Sequence, residues 1–499
     1  MAHHNANEVP AHLLMWQRVR EYAVPLSMIE IATARRAVGD WAGACAAARI
    51  DVDLDLRAVR DRYGTDLVTH LRADLRRLAP DLLRWHMPRI APDGRIRPGL
   101  TICLARYRSC GATPLQLVVR TPPAWADAGQ RMSLALWEGS GTGAPGHHPH
   151  PHPHPDRRFR LDLHRHLWDS GRSGELARRC GAGGASSVAP PDRTHAPTRP
   201  VLPVRSDRLA VHDSPWAVAQ WAAEAELLLR SEGRARGAFT VRLGARSRAV
   251  FELVAPDDSH APTCRPLGER LPPQEVAALP VLPEAAARIL PDLGLVRAGL
   301  VAVDRLHPLV AAALPASRSA PVAGPTCERR DPHRVECRGE VHRIALREGV
   351  LTAIDHDPDE LRREELLVAF GGPALPCLRA IDGVHRSPEA LPAVRERLVH
   401  GDVAGALAVV EGLLGPGAVL RDGPLREELE SAAARRIDHG LFRSGLVAVH
   451  PGAGAIGGQN ASGAGHADAG HRSRLDRRTP AAIRRRRSSR ARPRTALTR

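Results

Sequence analysis

Two stretches without hydrophobic periodicity, residues 171–203 and 316–332, consist largely of Gly, Ser, Pro, Ala and Arg. Such segments bury too little apolar surface to offset the entropy of ordering them, so they read as linkers. They constrain the fold more than any other feature, because no core element can run through them. The 499-residue chain is therefore expected to form several parts. These are a helical region (1–95), an antiparallel β region with a His-Pro tract (96–170), a small α+β region (204–315) and a β-meander with helices (333–447). Residues 448–499 read as a disordered Arg-rich tail. The expected class is α+β and multi-domain, with helical N- and C-terminal parts flanking small antiparallel β units.

Local patterns supply the elements. Apolar residues recur at helical spacing through His12–Tyr22, Leu26–Val38, Leu56–Tyr63 and Asp66–Leu78. Short runs rich in β-formers or alternating in polarity, Leu100–Tyr107, Leu115–Thr121, Met132–Trp137 and Arg158–His166, read as strands. In the last of them Phe159, Leu161 and Leu163 are expected to face inward, with Asp162, His164 and His166 outward. Ser214-Pro215 reads as a helix start. Arg338-Gly339 and Glu348-Gly349 are turn signals either side of Glu340–Arg347, predicting a three-stranded meander. Asp357-Pro358 then caps a helix that Gly371 ends.

Gly39-Asp40-Trp41-Ala42-Gly43-Ala44-Cys45-Ala46 reappears as Gly401-Asp402-Val403-Ala404-Gly405-Ala406-Leu407-Ala408. The turn resembles that of a tetratricopeptide-like hairpin, but such arrays need about three stacked repeats. The pair reads instead as two αα-hairpins that share cap and packing chemistry.

All 71 basic residues are arginine. A chain without lysine has no Walker A loop, Schiff-base lysine, kinase lysine or Ser-x-x-Lys acyl-enzyme. Arginine throughout, with abundant Ala, Gly and Pro, is what GC-rich codons encode. Over residues 10–447 this texture resembles that of a high-GC actinobacterial protein family with no assigned activity, and the resemblance carries no functional residue with it. No uncharged apolar run reaches the length of a membrane span, and residues 1–10 lack a secretory pattern. The eight cysteines include no Cys-x-x-Cys pair, which fits reduced thiols and a cytoplasmic location.

Histidine offers the main chemistry. In the tract from His147 to Pro155, alternating prolines favour a polyproline II helix. There His148 and His154 align only at about 19 Å apart, so the tract reads as a solvated connector. On a strand, by contrast, His164 and His166 share a face about 6.6–6.8 Å apart. Two imidazoles so placed, with Asp162, form a candidate zinc site. Cys327, His333, Cys337 and His342 are suitable ligand types without a Cys-x2–4-Cys knuckle and read as a chance grouping. Asp355-His356-Asp357 reads as a strand end and cap. Asp51-Val52-Asp53-Leu54-Asp55 lacks the later glycine and glutamate of an EF-hand and reads as capping and solvation before the next helix. The Gly-x-Gly-x-x-Gly matches at Gly141 and Gly452 open no amphipathic helix, which excludes a dinucleotide fingerprint.

Twelve arginines and the lone Asp476 in residues 471–499 carry eleven of the sixteen net positive charges. Arg484, Arg485, Arg486 and Arg487 form a candidate polyanion site. With no interleaved aromatics, it predicts charge-driven rather than sequence-specific nucleic-acid binding. The functional expectation is a non-enzymatic interaction or scaffolding protein with a protein partner and no membrane. The alternatives are a metal-dependent hydrolase or metal-binding protein at His164 and His166, and a nucleic-acid-associated protein acting through the tail.

Overall fold

A computed structural model describes residues 9–107, 115–139, 154–180, 215–244, 247–254, 261–268, 271–314, 334–386, 388 and 390–444. The architecture is α+β. Helices α1 (Ala11–Tyr22), α2 (Leu26–Ala37), α3 (Trp41–Ala47), α4 (Leu56–Tyr63), α5 (Thr65–Arg77) and α6 (Pro80–His86) open the chain. Strand β1 (Ile50–Asp53) interrupts them, and β2 (Arg89–Ile90) and β3 (Arg95–Ile96) form a small hairpin. Then β4 (Thr101–Tyr107), β5 (Leu115–Arg120) and β6 (Met132–Trp137) pair antiparallel, and β1 adds in parallel to β6, giving the order β1-β6-β5-β4.

This sheet and the helices around it share one hydrophobic cluster. It includes Leu71, Leu75 and Leu83 from α5 and α6, and Ile102, Leu117 and Leu134 from the sheet. It also reaches Val310 of α12 (Pro308–Ala311). β1 departs from the expected all-helical stretch. Its Ile50 is buried, while Arg131 grips Asp51 and Arg443 grips Asp53 at 2.6 and 2.8 Å. Those carboxylates are thus paired rather than solvated. Only Asp55 serves as the expected cap, accepting from the backbone of Arg57 and Ala58.

The run at 158–166 is not a strand. Only Arg160 makes a bridge, to Cys103, after which the chain coils through turns into a short 3-10 segment at Arg165–Leu167. The cause is side-chain chemistry. Asp162 is held by Arg160 through two 2.8 Å bonds and by Arg106, while His164 Nδ1 lies 2.9 Å from the Arg160 carbonyl. Phe159 and Leu161 are buried as expected, but so are His164 and His166.

The first ten residues of the stretch expected as a linker at 171–203 instead carry α7 (Leu176–Arg179), and Leu176 and Cys180 are buried in the first cluster. Helix α8 (Trp221–Ser231) starts later than Ser214-Pro215 suggests, because the backbone of Trp216 bridges to Arg288 first. Strands β7 (Gly237–Arg242), β8 (Arg248–Val254) and β9 (Thr263–Pro266) form an antiparallel sheet. Trp221, Ala225 and Leu229 of α8 and Ala286 and Ala287 of α10 (Glu284–Ala287) pack on it, with α9 (Pro273–Ala278) before and α11 (Pro291–Arg297) after α10 in the chain. The expected meander is present as β10 (Arg334–Cys337), β11 (Glu340–Arg347) and β12 (Val350–Ala353). Positive φ at Arg338, Gly339, Glu348 and Gly349 is what tight two-residue hairpin turns require. Asp357 caps α13 (Pro358–Ala369), and α14 (Pro376–Arg386), α15 (Leu391–Val399), α16 (Val403–Leu414) and α17 (Pro424–Arg443) follow.

The repeated octapeptide forms the same local structure twice. Gly39 and Gly401 have φ of 76° and 81°, and Asp40 and Asp402 cap α3 and α16 by accepting from the backbone of Gly43 and Gly405. A Cβ on either Gly43 or Gly405 would sit 2.1 Å from the capping carboxylate, which explains both glycines. The α15–α16 hairpin docks on the N-terminal core. Arg49 donates to the His400 carbonyl and to Asp402 at 3.1 Å each. Fully buried Arg84 donates to the carbonyls of Ala23, Gln130 and His400.

Among the described residues, no helix is long and apolar enough to cross a membrane. Arg484–Arg487 and most of the His-Pro tract lie outside the described residues.

Candidate anion-binding cavity

On α1, His12, Met15 and Trp16 lie three and four positions apart and so share a face. That face meets the α6–β3 segment, the turn at 158–167, α7 and the α10–α11 region around a cavity of about 730 Å³. Small-molecule sites commonly span about 300–1,000 Å³. Met15, Trp16, Met87, Phe159, Leu161 and Leu167 form an apolar part of the wall. Among the described residues, nine arginines also line it (Arg20, Arg89, Arg97, Arg158, Arg160, Arg179, Arg242, Arg288 and Arg297), against Glu284 as the single lining carboxylate.

Arg20, Arg158, Arg160 and Arg179 have carboxylate partners behind the wall. Arg20 is bidentate to Asp292 at 2.7 and 2.8 Å, and Trp85 Nε1 donates to the same carboxylate at 3.0 Å. Its guanidinium also lies over the rings of Trp16 and Trp85. Arg158 pairs with Asp156, Arg160 with Asp162, and Arg179 with Glu224 at 2.6 and 2.8 Å. Burial pushes the Glu224 carboxyl upward, but hydrogen bonds from His164 and Arg179 overcome it and hold the group at about 2.

Arg89 and Arg97 differ. Arg89 donates to the carbonyls of Arg84 (2.8 Å) and Gly94 (3.4 Å), and its buried Nε has no hydrogen-bond partner. Arg97 likewise leaves a buried Nε unsatisfied. Burial, followed by the charge of Arg20, lowers Arg89 to about 9, the mark of a cation short of counter-charge. On the same wall His86 Nδ1 sits 3.1 Å from the carbonyls of Leu82 and Leu167. Carbonyls accept, so Nδ1 carries the proton, and Nε2 is left a buried acceptor with no partner. Burial holds this imidazole neutral, down to about 4. Buried polar atoms are rarely left unsatisfied, and these three, without a hydrogen-bond partner among the described residues, belong to residues that line one cavity.

The expected metal residues occupy defined places beside it. His164 and His166 come together with ring centroids 5.8 Å apart. His164 Nε2 is engaged by Glu224 at 3.1 Å, and Asp162 by two arginines. His166 lines the cavity, with Nδ1 3.4 Å from Arg179. Burial, then the charges of His164 and Arg179, push it well below the usual histidine range. The cavity residues Trp16, His86, Arg89 and Arg97 escape a sequence reading because Trp16 lies mid-helix in α1, His86 ends α6, Arg89 is in β2 and Arg97 follows β3, so no short motif joins them. The only available signal is the shared helical face of His12, Met15 and Trp16.

Comparison with protein-family models, with curated proteins and with solved structures finds no match to this chain.

Proposed function

We propose that the chain is a non-enzymatic binding protein whose cavity takes a small organic anion with an apolar body. The observation that carries this reading is a wall of Arg89, Arg97 and His86, with Arg89 short of counter-charge, set beside an apolar one. The guanidinium groups of Arg89 and Arg97 supply the positive charge that an anionic head group needs. The apolar body covers Met15, Trp16 and Phe159. This small-molecule reading differs from the sequence expectation of an interaction or scaffolding protein with a protein partner. A binding role is favoured over general-base catalysis because burial lowers His86 to about 4 and His166 well below the usual histidine range, which makes both weak bases.

The test is a titration with a medium-chain carboxylate, the alcohol of equal length and the corresponding amine, followed by tryptophan fluorescence. The carboxylate binds tightest. Arg97→Ala weakens it by about tenfold or more, the value of one charged hydrogen bond, and leaves the alcohol unchanged. Equal affinity for all three, or an Arg97→Ala protein indistinguishable from the parent, overturns the proposal.

A further inference from the structure

A second cluster lies in the C-terminal part and is independent of the cavity. Cys337 ends β10, His356 follows β12 in the turn before α13, and Cys377 stands in the first turn of α14. One ligand atom from each residue, two sulfurs and an imidazole nitrogen, lie within 4.8 Å of one another. The cysteines are 1% and 0% exposed, and His356 Nε2 is 3.3 Å from Cys377 Sγ. His342, from β11, stacks on His356 with centroids 4.1 Å apart, and its buried Nδ1 has no hydrogen-bond partner.

We propose that this cluster is a zinc site. Cys337, Cys377 and His356 bind one Zn²⁺, and His342 swings in as the fourth ligand. Thiolate and imidazole donors select zinc over the hard cations magnesium and calcium. Charge balance favours burial, since a dication with two thiolates is neutral. The surroundings give the metal a purpose. Cys337 and Cys377 belong to a cluster of only five buried apolar residues, with Ala353, Leu361 and Leu375. It lies beside a larger cluster in which Ile344 and Leu351 of the meander already pack on Ile381 of α14, and a metal adds a second attachment. Here zinc would tie the meander to α13 and α14, so that binding energy becomes folding energy.

The test uses the full chain purified without chelator. Elemental analysis finds one zinc per chain. Replacement by Co²⁺ gives the strong ligand-field bands of a tetrahedral site together with sulfur-to-cobalt charge transfer. Cys337→Ser and Cys377→Ser lose the metal and the charge-transfer band, whereas Cys264→Ser retains both. His342→Ala alters the cobalt spectrum, and an unchanged spectrum overturns its assignment as the fourth ligand. Alkylation of the parent protein covers the case in which the serine variants do not fold. With zinc present, Cys337 and Cys377 resist modification, and after chelation they react. Absence of metal, a native Cys337–Cys377 disulfide, or alkylation insensitive to zinc overturns the site.

Discussion

His400 is fully buried, and neither ring nitrogen makes a hydrogen bond. Burial, reinforced by the charges of Arg89, Arg84 and Arg95, lowers it to about 3. The unfolded chain therefore takes up a proton near the ordinary histidine value of 6.5 that the folded chain refuses until about 3. Stability is full above that upper value and falls as pH drops through the window. His86, lowered to about 4, adds a loss of the same sign, and Glu224 adds a further one as pH falls from 4.5 towards about 2. Denaturant unfolding at a series of pH values should show this decline. His400→Leu should flatten the slope between about 6.5 and 3 and change stability above it by less than about 1.5 kcal/mol, as a near-isosteric core exchange does. An unchanged slope would show that other groups carry the acid sensitivity.

The two Gly-Asp turns share a backbone but not a setting, so the same substitution separates local from tertiary cost. A Cβ at Gly39 meets open space, whereas at Gly401 it would lie 2.2 Å from the Gly129 carbonyl oxygen. Gly39→Ala should cost about 1–2 kcal/mol, the strain of left-handed backbone alone. Gly401→Ala should cost clearly more, because α16 can no longer approach the segment before β6. Thermal unfolding of the two variants gives the comparison, and equal losses would place the second turn away from the core. These turns, the meander and the Asp357 cap were legible in the sequence because each is decided by residues a few positions apart. β1 and the coil at 158–167 were not, since Arg443 and Arg106, remote in sequence, determine how Asp53 and Asp162 are used. The candidate sites follow the same rule. Cys337, His356 and Cys377 are separated by eighteen and twenty residues, too far for a ligand motif, and only the fold brings them together.

At the scale of the whole molecule, the α15–α16 hairpin is fastened to the N-terminal core by arginines that bond backbone oxygens. Arg84 is the central one. Its burial, with Arg49, Arg89 and Arg131 nearby, drives its pKa well below the usual arginine range. Its bonds run to carbonyls in three separate parts of the chain. Replacing it by methionine keeps much of the volume but leaves those carbonyls unsatisfied, at about 1–3 kcal/mol each. Arg84→Met should therefore lower the unfolding free energy by at least about 3 kcal/mol, read as a shift in the denaturant midpoint. A neutral result would mean that apolar packing alone seats the hairpin. The same fastening imposes an order on synthesis. His400, whose carbonyl Arg84 needs, is made 316 residues later, roughly 15–60 s at ordinary elongation rates. Through that interval the nascent N-terminal part has an open seam with a charged group at its bottom, kept wet until the final helices emerge and close it.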